Sequence, residues 1–234
     1  MRQKPIPPAL TPFLEGKVLL IDKPLNWTSF DMVKKVRWLT KIMKVGHAGT
    51  LDPLATGLLI ICTGKFTKQI NDYMGMKKEY TGSLVLGATT ASYDLEQEPE
   101  NFKSIEGLTP AAIQAATEPF IGRIFQYPPQ HSAIKKDGKR LYETARQGIE
   151  VKVDPRQITI DAFELTKIDL PTIEFRVVCS TGTYIRSLVH DFGQALGVGA
   201  YLSGLRRTKI GAFKVEDAMQ WEDLEKEIND LLEG

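Results

Sequence analysis

Cysteine is scarce, with Cys62 and Cys179 the two in a chain of 234 residues. Both sit in apolar, strand-like stretches, and neither belongs to a CxxC or Cys/His spacing. This excludes a structural zinc site and points to buried free thiols in a reducing compartment. Long hydrophobic runs are also missing. The apolar stretch Pro53–Gly64 is rich in Leu and Ile but too short to span a bilayer. The opening residues MRQKPIPPAL lack the apolar core of a secretory signal, so a cytoplasmic protein without membrane attachment is expected. Catalytic signatures of several classes are absent: there is no HExxH, no GxSxG and no HxH. His47, His131 and His190 lie far apart. TGKFTK is not a phosphate loop, because Leu59 stands where the first glycine belongs and Phe66 where Ser or Thr must follow Lys65. GHAGT is not GxGxxG either, which removes a Rossmann dinucleotide site. Neither a cofactor nor a metal is expected.

The bulk composition is that of an ordinary globular protein: 42% hydrophobic and 25% charged residues, enough for a core without disulfides. Net charge is only +1, but it is unevenly spread. Residues 1–93 carry 13 basic and 6 acidic side chains, and residues 119–214 carry 15 and 9. Two acidic stretches mask them: residues 94–118, with 1 basic and 6 acidic, and residues 215–234, with 1 and 8. A basic face for a polyanion and a mosaic of solvated faces both fit this distribution.

Residues 1–15 read as a flexible arm. Lys17–Ile21 is a strand candidate. Thr28-x-x-Asp31 opens a helix to about Thr40, with Phe30, Val33 and Val36 assigned to one face. Val45–Pro53 reads as a glycine-punctuated loop, Leu58–Cys62 as a buried strand and Glu79–Gly87 as an alternating strand. Residues 88–109 form a long acidic connection, followed by a short helix capped at Thr109-Pro110. Strand pattern dominates Val151–Ser180 and Leu202–Lys214, separated by a helix over Thr183–Leu196. An acidic helix closes the chain within residues 217–234. No repeat is present, and the irregular mixing of strands and helices indicates an α+β fold.

Three segments carry candidate chemistry. GHAGTLDPLATGLL, Gly46–Leu59, puts His47, Asp52 and small residues in one loop, where Asp52 suits a nucleophile or base. A tight turn in which Asp52 bonds its own backbone explains the composition equally well. Tyr127–Gly148 interleaves Lys135, Lys136, Lys139, Arg140 and Arg146 with Tyr127, His131 and Tyr142, as an RNA-contacting loop or a solvated hairpin and helix would. CSTGTYIRSL places Tyr184 and Arg186 after a turn. Arg186 there is either a partner that keeps a carboxylate ionised or an ordinary surface arginine.

Taken in order, these pieces resemble the TruB family of tRNA pseudouridine-55 synthases. The matching stretches are GKVLLIDKPLNWTS, KVGHAGTLDPLATGLLIICT, KKEYTGSLVLG, the Tyr127–Gly148 segment, Cys179–Leu196 and YLSGLRRTKIGAF. They span about residues 16–216, the implied catalytic domain, with RNA-contacting loops at about 88–109 and 127–150. The resemblance implies a mixed, largely antiparallel central sheet with flanking helices. It implies uridine-to-pseudouridine isomerisation in the tRNA T-loop by base flipping, without cofactor, by a monomer. Residue by residue, Asp52 matches the catalytic aspartate, and Tyr80 the tyrosine that stacks on the target uracil. Arg186 matches the arginine that pairs with the aspartate. Tyr184 matches a pocket-lining position, Leu205 the leucine beneath the base and His47 the histidine that helps turn the nucleotide out. Asp94 matches an RNA- or base-contacting aspartate, and Lys23 a first-motif lysine of partly structural role. Gln97 and His131 depart from the family's usual Gly and Tyr. After Phe213 a short acidic helix stands where many members continue into a PUA-type RNA-binding domain, so the form without that domain is expected, with T-arm recognition retained. An RNA-binding module without catalysis and a small-molecule hydrolase are the rival readings. The first has no need of the Asp52, Tyr80 and Arg186 trio, and the second lacks a nucleophile–base motif.

Lys34, Lys35 and Arg37 are expected to line or flank an RNA path. Reversing their charge should weaken RNA binding and reduce its salt dependence, and a salt titration of the variant that matches the wild type would overturn this.

Overall fold

The computed structural model describes residues 6–132, 134–136, 139–141, 144, 147, 151 and 153–233, with the side chains at 135, 136, 139 and 140 left aside. Tyr142 and Arg146, two of the residues read as RNA-contacting, lie outside the described residues. The strands are β1 (Val18–Lys23), β2 (Val45–His47), β3 (Ala55–Thr63), β4 (Lys78–Leu86), β5 (Gly122–Gln126), β6 (Lys135–Lys136), β7 (Lys139–Arg140), β8 (Arg156–Asp169), β9 (Thr172–Cys179), β10 (Ala200–Ile210) and β11 (Phe213–Lys214). The helices are α1 (Thr11–Glu15), α2 (Ser29–Thr40), α3 (Ile70–Gly75), α4 (Pro110–Ala115), α5 (Ile185–Ala195) and α6 (Trp221–Glu233). Within the stretch expected to form one catalytic domain, the chain divides into two compact units: residues 1–79 with 206–234, and residues 80–205. Strands β4 and β10 each contribute to both.

In the first unit β3 is the middle of the architecture. It pairs antiparallel with β1 (Leu20↔Ile60) and with β2 (Gly46↔Cys62), and it neighbours β10. Alternate β3 residues serve two cores, as the period-2 geometry of a strand requires. Leu59 and Ile61 join Leu19, Ile21, α2 and the α6 residues Leu224 and Ile228. Leu58, Ile60 and Cys62 join Ile210 and Val215. A strand buried on both faces reads as a continuous apolar run rather than an alternation, which is how Leu58–Cys62 appears in the sequence. Gly57, at φ +102°, lets the strands approach closely: a Cβ there would lie 2.3 Å from the Arg207 carbonyl oxygen.

Helix α2 begins with the expected capping box. Thr28 Oγ1 accepts from the Asp31 amide at 3.0 Å, and Asp31 Oδ2 accepts from the Thr28 amide at 3.2 Å. Its buried stripe is Met32, Val33, Val36 and Leu39. Phe30, expected on that face, is 51% exposed, because the stripe is set by the i, i+3, i+4, i+7 series from Ser29 and Phe30 falls beyond its edge. The charges expected to flank RNA are partly engaged within this unit. Lys35 pairs with Glu225 at 2.9 Å, Arg37 donates to the Val45 carbonyl at 2.9 Å, and Lys34 pairs with Asp31 at 3.0 Å. The segment expected to be a flexible arm also differs. Residues 8–15 form a 3-10 turn and α1, with Leu10 and Phe13 fully buried in the core that α2 and Leu224 also build.

In the second unit β10, β4, β9, β8 and β5 are successive neighbours, with β9–β8 and β8–β5 antiparallel. Phe163 makes edge-to-face contacts with Phe120, Phe175 and Phe192, joining sheet and α5 into one core. The 88–109 connection is tied down by a Thr89–Glu100 bridge and by the Leu202 amide on the Tyr93 carbonyl at 2.9 Å. The fold is thus mixed α+β with a largely antiparallel sheet. Among the described residues, no helix is long and apolar enough to cross a membrane.

Leu59→Ala should cost about 2–5 kcal/mol in urea unfolding, as buried Leu truncations do. Phe30→Ala should stay within about 0.5 kcal/mol of the wild type.

Candidate active site

Asp52 lies in a loop, residues 48–54, that leads into β3. The loop is held almost wholly through its backbone. Ser29, the first residue of α2, accepts from the Leu51 amide at 2.8 Å and donates to the Leu51 carbonyl at 3.2 Å. The Asn26 amide donates to the Pro53 carbonyl at 2.8 Å, and the Ala55 amide turns back onto the Asp52 carbonyl at 3.0 Å. Arg207, 1% exposed, directs Nε to the Leu58 carbonyl at 2.8 Å. Its Nη2 reaches the Gly49 carbonyl at 3.2 Å and its Nη1 the Thr50 carbonyl at 3.4 Å. A planar guanidinium presents several fixed donors at once, which suits a cluster of backbone acceptors.

Lys23, at the end of β1, has no exposed surface and donates to the Trp27 and Pro24 carbonyls at 2.6 and 2.9 Å. Its Nζ also lies 3.5 Å from the Pro53 carbonyl. Burial draws its ammonium down to about 8. Asp52 is the strongest influence in the opposite direction, Arg207 adds to the lowering, and Asp22 partly offsets it. The first unit therefore brings Lys23 and Asp52 into one electrostatic neighbourhood. His47, half-buried at the end of β2, is drawn below the usual imidazole range by burial, partly offset by the Gly49 backbone and lowered further by Arg207. It is a neutral ring at physiological pH. Arg206 points elsewhere, holding Asp22 through two bonds of 2.7 and 3.0 Å.

The second unit holds the other sequence candidates. Arg186, in the first turn of α5 and 4% exposed, donates to the Ser92 carbonyl at 3.2 Å and the His131 carbonyl at 2.9 Å. Its Nε lies 3.6 Å from Asp94 Oδ2, an ion pair buried on both sides. The Asp94 loop is fixed in turn. Thr90 and Ser92 hydroxyls donate to the Asp94 carbonyl at 2.7 and 3.1 Å, and Asp94 Oδ1 accepts from the Glu96 amide at 3.0 Å. Tyr184 is the residue at the N-terminus of α5, and Gln126 brackets it, accepting from its amide at 2.8 Å and donating to its carbonyl at 3.0 Å. Tyr80 is 8% exposed on β4, and Leu205 is half-buried on β10.

Three residues that shape these sites escape the sequence reading: Ser29, Gln126 and Arg207. Ser29 is hidden behind the Thr28 cap signal. Gln126 carries no pattern. Arg207 lies on the face of β10 opposite Arg206, but the mixed composition of that strand does not mark it as buried.

Residues 37–185 match the TruB family pseudouridylate synthase N-terminal domain, and residues 186–231 match the tRNA pseudouridylate synthase B C-terminal domain. The chain belongs to the TruB family of pseudouridylate synthases. The segment read as ending in only a short acidic helix thus falls within a region that the C-terminal match covers. A tRNA pseudouridine synthase B from Flavobacterium johnsoniae is 55% identical over 88% of this chain and 93% of its own length. One from Phocaeicola vulgatus is 51% identical over 90% and 92%. Among solved structures, a Cbf5-Nop10-Gar1 complex gives a TM-score of 0.73 at 30% identity, over 94% of this chain and 56% of that one. An archaeal box H/ACA sRNP Nop10-Cbf5 complex gives 0.69 at 28%, over 95% and 57%. This chain spans a little over half the length of those solved chains.

Lys23→Met should destabilise the protein by about 1–3 kcal/mol near neutral pH, since buried carbonyls lose their donor. Between about pH 8, its folded value, and about 10.5 the unfolded chain binds a proton that the folded chain does not. Wild-type stability relative to Lys23→Met should therefore rise across that window, as paired urea unfolding curves at its two ends would show.

Proposed function

We propose that this chain isomerises uridine to pseudouridine in tRNA, acting on the T-loop uridine at position 55. The observation that carries the reading is the Asp52 loop: a half-buried carboxylate on a backbone pinned by Ser29 and Arg207 beside the buried Lys23 ammonium. A loop held this way presents its carboxylate in one place, as catalysis requires. The close relatives that bear the name tRNA pseudouridine synthase B support the reading over nearly their whole length.

The reaction breaks the C1′–N1 glycosidic bond, rotates the uracil and forms a C1′–C5 bond to the same ribose; C5 gives up its proton and N1 takes one up. Atoms and electrons balance without a donor or redox partner. Asp52 is the catalytic carboxylate, acting by attack or by proton abstraction. Tyr80 stacks on the uracil, Leu205 packs beneath it and Tyr184 lines the pocket. Arg186 supplies fixed positive charge. His47, held neutral by burial, helps turn the nucleotide out by planar contact rather than as a cation. Asp94 contacts the RNA or the base, and Lys23 supports the Asp52 loop. The enzyme acts as a cytoplasmic monomer that recognises the T-arm.

The test is a pseudouridine assay on unmodified tRNA transcripts with EDTA present. Wild type should form product at the T-loop uridine. Asp52→Asn should bind the RNA normally yet turn over at least about a thousandfold more slowly. Binding without product from the wild type would leave an RNA-binding module instead.

A further inference from the structure

Helix α2 has two flanks with different partners. One is covered by α6: Trp27 stacks on Trp221 with ring centroids 5.7 Å apart, and Lys35 lies 4.2 Å from the Trp221 ring while pairing with Glu225. The other flank is open and carries Phe30, 51% exposed, and Trp38, 61% exposed. Large aromatics so exposed on a helix cost solvation and contribute little to the core, and here each is set among cations. Lys34 lies 5.0 Å from the Phe30 ring, and Lys41 lies 4.8 Å from the Trp38 ring. Phe30, Lys34 and Trp38 are spaced at i, i+4 and i+8 on α2, and Lys41, the left-handed residue that caps the helix, lies beside Trp38, so the four form one stripe. At about 1.5 Å of rise per residue its helical part is about 12 Å long, the reach of about three to four stacked nucleotides. It starts next to Ser29, the residue that clamps the Asp52 loop through Leu51.

We propose that this stripe is a second RNA-binding face, which holds a stretch of the substrate RNA other than the target nucleotide. Phosphates bind Lys34 and Lys41, and exposed base faces stack on Phe30 and Trp38. The occupant is assigned by complementarity. Two exposed rings set among cations, Phe30 beside Lys34 and Arg37 and Trp38 beside Lys35 and Lys41, match the bases and phosphates of RNA, whereas an apolar protein surface would leave the exposed lysines desolvated without partners. The Lys34–Asp31 contact is not a competitor of consequence, because both groups are well exposed and such a pair contributes little. The acidic helix α6, on the covered flank, confines a polyanion to the open one. The inference rests on the reading of this chain as a tRNA-modifying enzyme, and it deepens that reading by naming where RNA beyond the reacting nucleotide is held.

The aromatic and cationic parts leave different marks on binding. Equilibrium binding of an unmodified tRNA transcript is measured across a salt series for wild type, Phe30→Ala with Trp38→Ala, and Lys34→Gln with Lys41→Gln. The aromatic pair of substitutions should weaken binding at least about fivefold per ring with the salt slope unchanged. The lysine pair should reduce the slope by about one per residue. Trp38→Phe should restore most of the affinity, while Trp38→Leu, apolar but without a stacking face, should not. In turnover the aromatic variant should raise KM and leave kcat at saturating RNA intact. Wild-type binding and KM in the aromatic variant would overturn the proposal while product formation upheld the enzyme, and would point to a protein partner for this flank. The stated binding pattern with no product from the wild type would uphold the face and overturn the enzyme.

Discussion

Buried carbonyl groups must find donors, and in this protein the loop that carries Asp52 finds them in two buried cations. Arg207 takes the carbonyls of Gly49, Thr50 and Leu58, and Lys23 takes those of Pro24 and Trp27 with Pro53 at its edge. Either charge alone in an apolar interior would be strongly unfavourable; bound to several carbonyl dipoles, each becomes a structural clamp. Much of the first unit follows from making room for those clamps. Gly57 is needed because the Arg207 backbone passes where a side chain would stand, and β3 lies between β1, which ends at Lys23, and β10, which carries Arg207. Positive charge is thereby fixed beside the carboxylate by the fold itself.

The second unit repeats the device. Arg186 is held by the carbonyls of Ser92 and His131 before its charge meets Asp94, and Gln126 locks the backbone of Tyr184 two residues before it. In both units a long polar side chain from a regular element bonds backbone carbonyls of a loop distant in sequence and so restrains a loop that carries candidate chemistry. Such preorganisation is what a reaction needs when it must hold an extruded base through bond breakage, rotation and bond formation.

Legibility in the sequence varied by element. The capping box at Thr28 and Asp31, the continuous apolar run of β3 and the turn into α5 were all readable, because caps and periodicity are local. The order of the GHAGTLDP and TGTYIR segments was enough to identify the family. Local pattern misled at α2, where Phe30 was grouped with Val33 and Val36 although the buried stripe starts at Ser29. It also misled at the N-terminus, where proline-rich composition hid the two core side chains Leu10 and Phe13.

By itself the sequence determined the class of fold and the positions of the main strands and helices, and the order of its motifs pointed through one family to Asp52, His47, Tyr80 and Arg186 as the residues proposed to act. Each of those motifs is local, a few residues long. Only the tertiary structure decided what those residues rest on. Arg207 and Leu58 are 149 residues apart, Arg186 and Ser92 are 94, and Gln126 and Tyr184 are 58. A hydrogen bond between a buried side chain and a backbone carbonyl that far away leaves no periodic trace, because any residue type offers the same acceptor. Only the packing of strands selects which carbonyl it is.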